Sequence, residues 1–199
     1  MVPTKMVRSR VWRASAFTLW STFSWNAVAQ TASFNEFTIP TPASRPQGIT
    51  PGPDAAMWFV ESSADKIGRV TDSGIITEFA LLSGSHPQQI VRNYADGNLW
   101  FTATQGNYIG RITTAGVITQ FPVPTPNASP FGIAEGQGTG SATASLWFTE
   151  TAANKIGSIT TDGVITEYPI PTANASSANI TIGAMATCGP PNLPPTRSA

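Results

Sequence analysis

The sequence predicts an all-β fold built from repeated units, because one stretch of text recurs along the chain. Its clearest copy spans residues 146–168, LWFTETAANKIGSITTDGVITEY, and related text fills residues 57–79 and 99–121. A tryptophan marks each copy, at intervals of 42 and 47 residues: Trp58, Trp100 and Trp147. Two glycine positions in each copy keep the same intervals. Three markers with one period exclude coincidence, and a period near 42 residues indicates one supersecondary unit per copy.

Each unit reads as four short strands. Its apolar residues alternate with polar ones and are β-branched or aromatic, which is typical of strands and not of helices. An Asp-Gly pair such as Asp96-Gly97 is a hairpin signal, because glycine tolerates the positive φ of tight turns. Proline-rich links such as residues 123–126 separate the units, and proline cannot donate to a sheet ladder. Four antiparallel strands in about 40–45 residues form one blade of a β-propeller. The sequence therefore predicts a partial propeller of about three and a half four-stranded blades.

Charge excludes some partners. Eleven basic residues balance eleven acidic ones, so the chain has no charge signature for nucleic acid or for an anionic membrane. Only 11% of the residues are charged, which suits a turn-rich, exported all-β protein.

Residues 1–29 differ from the repeats and are predicted to be a secretory signal peptide. Basic residues open the segment, a moderately apolar run follows, and Ala27-Val28-Ala29 is an A-x-A cleavage signal. The apolar run is too short to anchor the chain in a bilayer. We expect export to the periplasm or the extracellular space, with no membrane association after cleavage. A disordered N-terminal extension is the alternative.

The blades are expected within residues 30–183. The repeats span residues 34–78, 79–120 and 121–167, and a fourth begins at residues 168–183. Residues 184–199 then lose the Trp-Phe and Ile-Gly markers. A back-translation of this tail, shifted by two nucleotides, yields the missing half of repeat four, so we interpret the tail as a frameshifted blade.

The predicted arc has consequences for assembly. Closed propellers have about four to eight blades, and closure protects the strand edges. An arc of three and a half blades leaves edges open, so we expect self-association through them. Closure with four blades is the less favoured alternative, since the fourth blade lacks its core.

The repeat resembles that of the virginiamycin B lyase (streptogramin B lyase) family. The resemblance covers about residues 34–183, and its motifs are RPQGI at residues 45–49, LWFTE at 146–150, NKIG at 154–157 and TTDGVITEY at 160–168. It implies a seven-bladed propeller and a magnesium-dependent elimination that linearises streptogramin B antibiotics. It also implies a histidine general base directly after the motif proline, and glutamates that hold Mg²⁺.

The implied catalytic histidine has no counterpart in this chain. The positions after the motif proline hold Gln47, Gln88 and Phe131, and repeat four has Ala178 there. The only histidine, His86, comes before its proline and is best read as a structural or surface residue. We therefore assign no catalytic residue, leave the enzyme class at lyase-like by resemblance, and expect the chain to be inactive alone.

Three residues are candidates for substrate binding. Gln47, Gln88 and Phe131 are expected where the innermost strands begin, facing the central channel, where a pocket for a small molecule can form. Packing of the channel or contact with water is an equal alternative.

Two glutamates are candidates for metal binding. Glu61 and Glu150 follow the Trp-Phe pair near a strand end, and carboxylate oxygens are ligands that Mg²⁺ accepts. Ala103 takes this place in repeat two and breaks any ring of acids. Magnesium itself is implied only by the family resemblance.

The remaining marker residues are expected to be structural. The repeated tryptophans are predicted to fill the space between blades, because aromatic side chains bury large areas. A platform for stacking sugars is the alternative. Asp65-Lys66 and Asn154-Lys155 are expected to be exposed turn pairs.

Two functional classes stay open at this stage. One is a lyase of the family type, acting on an ester of a cyclic depsipeptide. The other is a non-catalytic exported propeller that binds a ligand or a protein at its channel mouth, and the missing Pro-His motif favours it.

Overall fold

The computed structural model describes residues 34–136, 145–181 and 183. The chain divides into two units, residues 1–36 and 37–199, and every described strand belongs to the second unit. The described strands are β1 (Pro46–Pro51), β2 (Met57–Glu61), β3 (Lys66–Val70), β4 (Ile76–Ala80), β5 (Pro87–Arg92), β6 (Leu99–Ala103), β7 (Tyr108–Ile112), β8 (Ile118–Pro122), β9 (Pro130–Glu135), β10 (Ser145–Glu150), β11 (Lys155–Thr160) and β12 (Ile165–Pro169).

These strands form three antiparallel sheets in which neighbours in sequence are neighbours in space. We call them blade one (β1–β4), blade two (β5–β8) and blade three (β9–β12). The inner strands β1 and β5 pack side by side, as do β5 and β9. The predicted all-β partial propeller is confirmed. The described part of the chain contains no helix of the length and hydropathy needed to cross a membrane.

The sheets begin later than the repeats drawn from the sequence. The repeat bounds at residues 34–78, 79–120 and 121–167 place a linker at the start of each unit. The observed sheets span residues 46–80, 87–122 and 130–169. Each repeat therefore combines the linker that enters a blade with most of that blade.

The glycine of the Ile-Gly marker leaves room for a phenylalanine ring from the neighbouring strand. Phe101 on β6 pairs with Gly110 on β7, and the other two blades repeat this register. A Cβ atom at Gly110 would lie 2.1 Å from Cζ of Phe101. A side chain there would force the ring out of a packed core, so the marker reflects close packing within each blade.

The glycine of the second turn serves the contact between blades. Gly116 has a φ of +85°, which L side chains rarely adopt, and the ring of Phe79 from blade one lies against it. Phe121 lies against Gly163 in the same way. The outer strand of one blade thus contacts the last turn of the next.

Two of the three repeated tryptophans, Trp58 and Trp100, fill the space between described blades, as predicted. Trp58 and Trp100 are fully buried, and each stacks on the aromatic residue of its own outer strand, at 5.4 and 5.3 Å between ring centroids. Burial leaves these two rings no face for stacking a sugar. Trp147 stacks on Tyr168 at 5.6 Å and stays 37% exposed.

The turn pairs expected to be exposed are in fact half-buried clamps on the linkers. Asn154 Nδ2 donates to the carbonyl oxygens of Ile170 and Thr172, at 3.1 and 3.0 Å, and its Oδ1 accepts from Ala175 N at 2.8 Å. Asn107 makes the equivalent three bonds to the linker after blade two. These side chains fix the path of the chain from one blade to the next.

A segment without strand structure follows blade three and runs beside its inner strand. A Cβ atom at Gly132 on β9 would lie 2.7 Å from the carbonyl oxygen of Ala178, so residues 178–180 run close beside β9. The predicted signal peptide (residues 1–29) and the predicted frameshifted tail (184–199) lie outside the described residues. Both stay predictions.

Candidate functional site at the start of the inner strands

The candidate residues gather at one end of each sheet. Every inner strand starts at a proline that follows a residue of positive φ: Arg45 (54°), His86 (47°) and Ser129 (54°). Each of these prolines pairs with the last residue of the second strand. The pairs are Pro46 with Glu61, Pro87 with Ala103, and Pro130 with Glu150. The predicted binding and metal positions are therefore neighbours within a blade.

An irregularity in the ladder marks the same end in all three blades. The register between first and second strands shifts between Pro46 and Ile49, and again between Pro87 and Ile90. Blade three has the same shift opposite Phe148–Glu150. Such bulges re-aim side chains and are frequent beside functional sites. Gln47, Gln88 and Phe131 all lie in these bulges.

The three predicted substrate-binding residues occupy equivalent places on adjacent inner strands, and all three are half-buried. Gln88 Nε2 donates to Ser62 Oγ of blade one at 3.1 Å. The carbonyl oxygen of Phe131 accepts from Thr102 Oγ1 at 2.7 Å. The three residues therefore form a row. The Gln88 side chain and the Phe131 carbonyl oxygen are already engaged in hydrogen bonds between neighbouring blades.

Threonines on the second strands hold this row in place. Thr102 Oγ1 accepts from Gln89 N at 3.2 Å and donates to the carbonyl oxygen of Phe131. Thr149 Oγ1 accepts from Gly132 N at 2.9 Å and donates to Ala178 O at 3.1 Å. Sequence analysis missed these residues, although their place after the Trp-Phe pair repeats in blades two and three. Blade one has Val60 there.

The two predicted metal-binding glutamates are fully buried. Among the described residues, neither oxygen of the Glu61 or Glu150 carboxylate has a hydrogen-bond partner. Burial raises the pKa of Glu61, and the nearby Glu78 carboxylate adds to the effect. Burial likewise raises the pKa of Glu150 to about 7, with the Glu167 carboxylate as the second cause. Near neutral pH the Glu150 side chain is therefore divided between its acid and its carboxylate form.

Each buried glutamate stands beside a lysine–glutamate ion pair. Lys155 Nζ lies 2.8 Å from Glu167 Oε2, and Thr125 donates to Glu167 through both its backbone nitrogen and its hydroxyl. Burial acts to raise the pKa of Glu167, but these hydrogen bonds and the lysine outweigh it and lower the pKa. Lys66, Glu78 and Thr41 repeat the arrangement in blade one. The pairs tie the incoming linker to the blade.

Blade two replaces this charged network by a neutral one. Tyr108 stands where blades one and three have a lysine, and its hydroxyl bonds Ser85 Oγ at 2.8 Å. Burial raises the pKa of Tyr108. The acid is missing as well, since Ala103 takes its place. Any acidic feature at this end is therefore interrupted in the middle of the arc.

The described residues do not form a shared magnesium site. Glu61 lies on blade one and Glu150 on blade three, each beside the ion pair of its own blade. Across residues 34–136 and 145–181, no group of three or more histidine, cysteine or acidic side chains is placed to hold a metal ion. The magnesium expectation rests on the family resemblance and stays a prediction.

His86 is tied to the blade junction through its backbone. Its nitrogen donates to Asp65 Oδ1 at 2.7 Å, and its carbonyl oxygen accepts from Thr104 N at 3.2 Å. These bonds fix its positive φ just before Pro87. No catalytic assignment follows from them.

Comparisons with known proteins agree with this architecture. A catalytically inactive histidine-to-alanine variant of virginiamycin B lyase from Staphylococcus aureus, solved with quinupristin, is 49% identical. It aligns over 76% of this chain and 50% of its own, with a TM-score of 0.72. A streptogramin B lyase structure is 44% identical over 77% of this chain and 50% of its own, also with a TM-score of 0.72. This chain thus spans about half the length of these relatives.

A family match covers most of the chain. The model of the virginiamycin B lyase family matches residues 8–189. The matched range starts inside the predicted signal peptide and ends inside the predicted aberrant tail. Because it covers far more than half of the sequence, the chain belongs to the virginiamycin B lyase family.

Proposed function

We propose that this chain is a substrate-binding propeller segment of the streptogramin B lyase type, exported to the periplasm or the extracellular space. It holds a cyclic depsipeptide at the start of the inner strands. The observation that carries this proposal is the row of Gln47, Gln88 and Phe131 on adjacent strands, in a chain 49% identical to a lyase solved with quinupristin. The half-buried aromatic ring and amides suit a ligand that is apolar with a few polar groups.

The same proposal assigns no elimination chemistry to the chain by itself. The relative solved with quinupristin is catalytically inactive once one of its histidines is changed to alanine. Here the sole histidine, His86, precedes the motif proline, and its backbone is engaged at the blade junction. A general base must reach the proton that it removes. The residues after the motif prolines are amides and an aromatic ring, which have no basic group to offer.

Binding of quinupristin to the full chain tests the proposal. Titration followed by tryptophan fluorescence and by calorimetry is expected to show saturable binding, and Phe131→Ala is expected to weaken it about tenfold, the loss of one well-packed aromatic contact. Thr166→Ala is the matched control, because Thr166 is exposed on the outer strand β12. Mass spectrometry with and without Mg²⁺ is expected to find no linearised product. Magnesium-dependent linearisation would refute the non-catalytic part.

A second candidate is a propeller that binds another ligand or a protein at the same place. The absence of a histidine after any motif proline favours it, because such a function needs no base. No saturable binding of quinupristin up to about 1 mM, the range of very weak affinity, in a chain that is folded by circular dichroism, would favour this candidate over the first.

A further inference from the structure

The inner strands differ from one another at the third residue of the motif that opens each of them. Blades one and three have a glycine there, Gly48 and Gly132, whereas blade two has Gln89. The segment that runs beside β9 has Asn179 at the equivalent place. Glycine and an amide residue therefore alternate along the arc, and blade two carries a long polar side chain where both of its neighbours have none.

Each of the two glycines leaves room for the amide residue that follows it along the arc. A Cβ atom at Gly48 would lie 2.9 Å from both Cα and Oε1 of Gln89. A Cβ atom at Gly132 would lie 3.0 Å from Cα of Asn179. Glycine in a strand often marks a place where another part of the protein approaches closely. The Gln89 side chain thus occupies space beside β1 that a glycine at position 48 keeps open.

The backbone of Gln89 is held in place from both sides. Its nitrogen donates to Thr102 Oγ1 at 3.2 Å, and the same hydroxyl donates to the carbonyl oxygen of Phe131 at 2.7 Å. The next residue, Ile90, is 3% exposed in the apolar cluster between blades one and two. A side chain that starts from a fixed backbone loses less freedom when it binds a ligand, which favours affinity.

The amide group of Gln89 is available for a ligand. Its side chain is half-buried, and β5 is an edge strand of its sheet, on the side of the central channel. Gln88 uses its Nε2 to donate to Ser62 Oγ at 3.1 Å, but within the described residues no such bond engages the Gln89 or the Gln47 amide. Gln47 directly precedes Gly48, so both uncommitted amides belong to the surroundings of this glycine.

We propose that Gln89 is a specificity-determining residue that hydrogen-bonds a peptide group of the bound ligand. This inference rests on the proposed function and names the part of a cyclic depsipeptide that the site recognises. The side-chain amide of glutamine offers N–H donors and a C=O acceptor, and a peptide group offers a C=O acceptor and an N–H donor in return. An ester group offers acceptors only. Gln89 therefore favours a ligand that places a peptide group here over one that places an ester.

The partial burial of Gln89 makes this recognition selective. Ligand binding removes the amide from water, and a polar atom that is then left without a partner costs free energy. A ligand with an apolar group opposite Gln89 would leave both ends of the amide unpaired. Sites built to hydrogen-bond a ligand reject analogues that lack the matching group for this reason. Glycine at position 89 would carry no such requirement.

Three variants of the full chain test this role by titration with quinupristin. Gln89→Met keeps the length of the side chain but removes the amide, and is expected to weaken binding about tenfold, the effect of one lost hydrogen bond with a partner left unpaired. Gln89→Gly restores the residue of blades one and three and is expected to weaken binding as much. Gln105→Met is the matched control, because Gln105 is an exposed amide in the turn between β6 and β7, and its affinity is expected to stay unchanged.

An NMR measurement separates direct contact from an effect on the fold. In a chain with isotope-labelled glutamine, the side-chain signals of Gln89 and Gln105 are assigned by their loss in the methionine variants. Quinupristin is expected to shift the Gln89 signal and to leave the Gln105 signal in place. Unchanged affinity in Gln89→Met, an equal loss in Gln105→Met, or a Gln89 signal that does not move would each overturn this inference alone. Absence of saturable quinupristin binding by the unmodified chain would instead overturn the proposed function, and the inference with it.

Discussion

Replacing Glu150 by glutamine is expected to stabilise the protein at alkaline pH and to have little effect at acidic pH. Glu150 is fully buried, and neither of its oxygens has a hydrogen-bond partner in the part of the chain that the structure describes. Burial raises its pKa from an ordinary value of 4.5 to about 7. The folded protein therefore holds this proton more tightly than the unfolded chain does. A glutamine keeps the shape of the side chain and carries no charge at any pH.

The sign and the size of this pH-dependent stabilisation follow from proton linkage. Between pH 4.5 and pH 7 the folded state binds more protons than the unfolded state, so the contribution of Glu150 to stability falls as the pH rises through this window. A pKa difference from 4.5 to about 7 corresponds to about 3 kcal/mol, because one pKa unit is worth about 1.4 kcal/mol. From pH 5 to pH 8, the advantage of Glu150→Gln over the unmodified chain is expected to grow by about 2–3 kcal/mol.

Urea unfolding followed by tryptophan fluorescence at pH 5, 6, 7 and 8 measures how this stability advantage grows with pH. The quantity compared at each pH is the difference between the urea midpoints of the Glu150→Gln variant and the unmodified chain. The comparison removes the titrating groups that do not interact with Glu150. The Glu167 carboxylate does interact with it, so the measured growth belongs to the coupled pair. Asp162→Asn is the control, because Asp162 is an exposed acid on a turn of the same blade. A free-energy difference that is independent of pH would refute the reasoning that burial dominates at Glu150.

The contacts between blades give two further predictions. Asn107→Ala removes three hydrogen bonds to the linker after blade two, and is expected to lower the free energy of unfolding by about 2–4 kcal/mol in urea. Asn107→Asp should not recover this loss, because a carboxylate keeps the bond from Ala128 N but faces the carbonyl oxygens of Val123 and Thr125 without a proton to donate. Thr102→Val removes the bridge from Gln89 to Phe131 at nearly constant volume, and is expected to cost about 1–3 kcal/mol in thermal unfolding. Thr166→Val, at an exposed site, should cost almost nothing, and an equal loss in both valine variants would contradict the bridge.

The bulges at the start of the inner strands show which features of the candidate site the sequence predicted and which needed the structure. Its position along the chain was predictable, because Gln47, Gln88 and Phe131 follow a motif proline in each repeat. The ladder shift at each of them was not, since a bulge depends on how two strands pair and not on either strand alone. The repeated proline was the one signal that the sequence offered.

The environment of the two glutamates was likewise beyond the sequence. Glu61 and Glu150 read as metal ligands because they are acids at a strand end. Their burial and their separation on different blades follow from packing between residues far apart in the chain, such as the 42 residues between Thr125 and Glu167. The same holds for Asn154, whose linker partners lie 16 to 21 residues away.

The sequence by itself determined the repeat, the all-β class, the four strands of each blade and the family. These follow from patterns that each strand carries locally: a period of two in apolar residues, turn glycines and markers at a fixed interval. The tertiary structure alone decided which marker residues are buried and which side chains clamp the linkers. Those properties belong to contacts between blades, and a blade face is buried only when another blade lies against it.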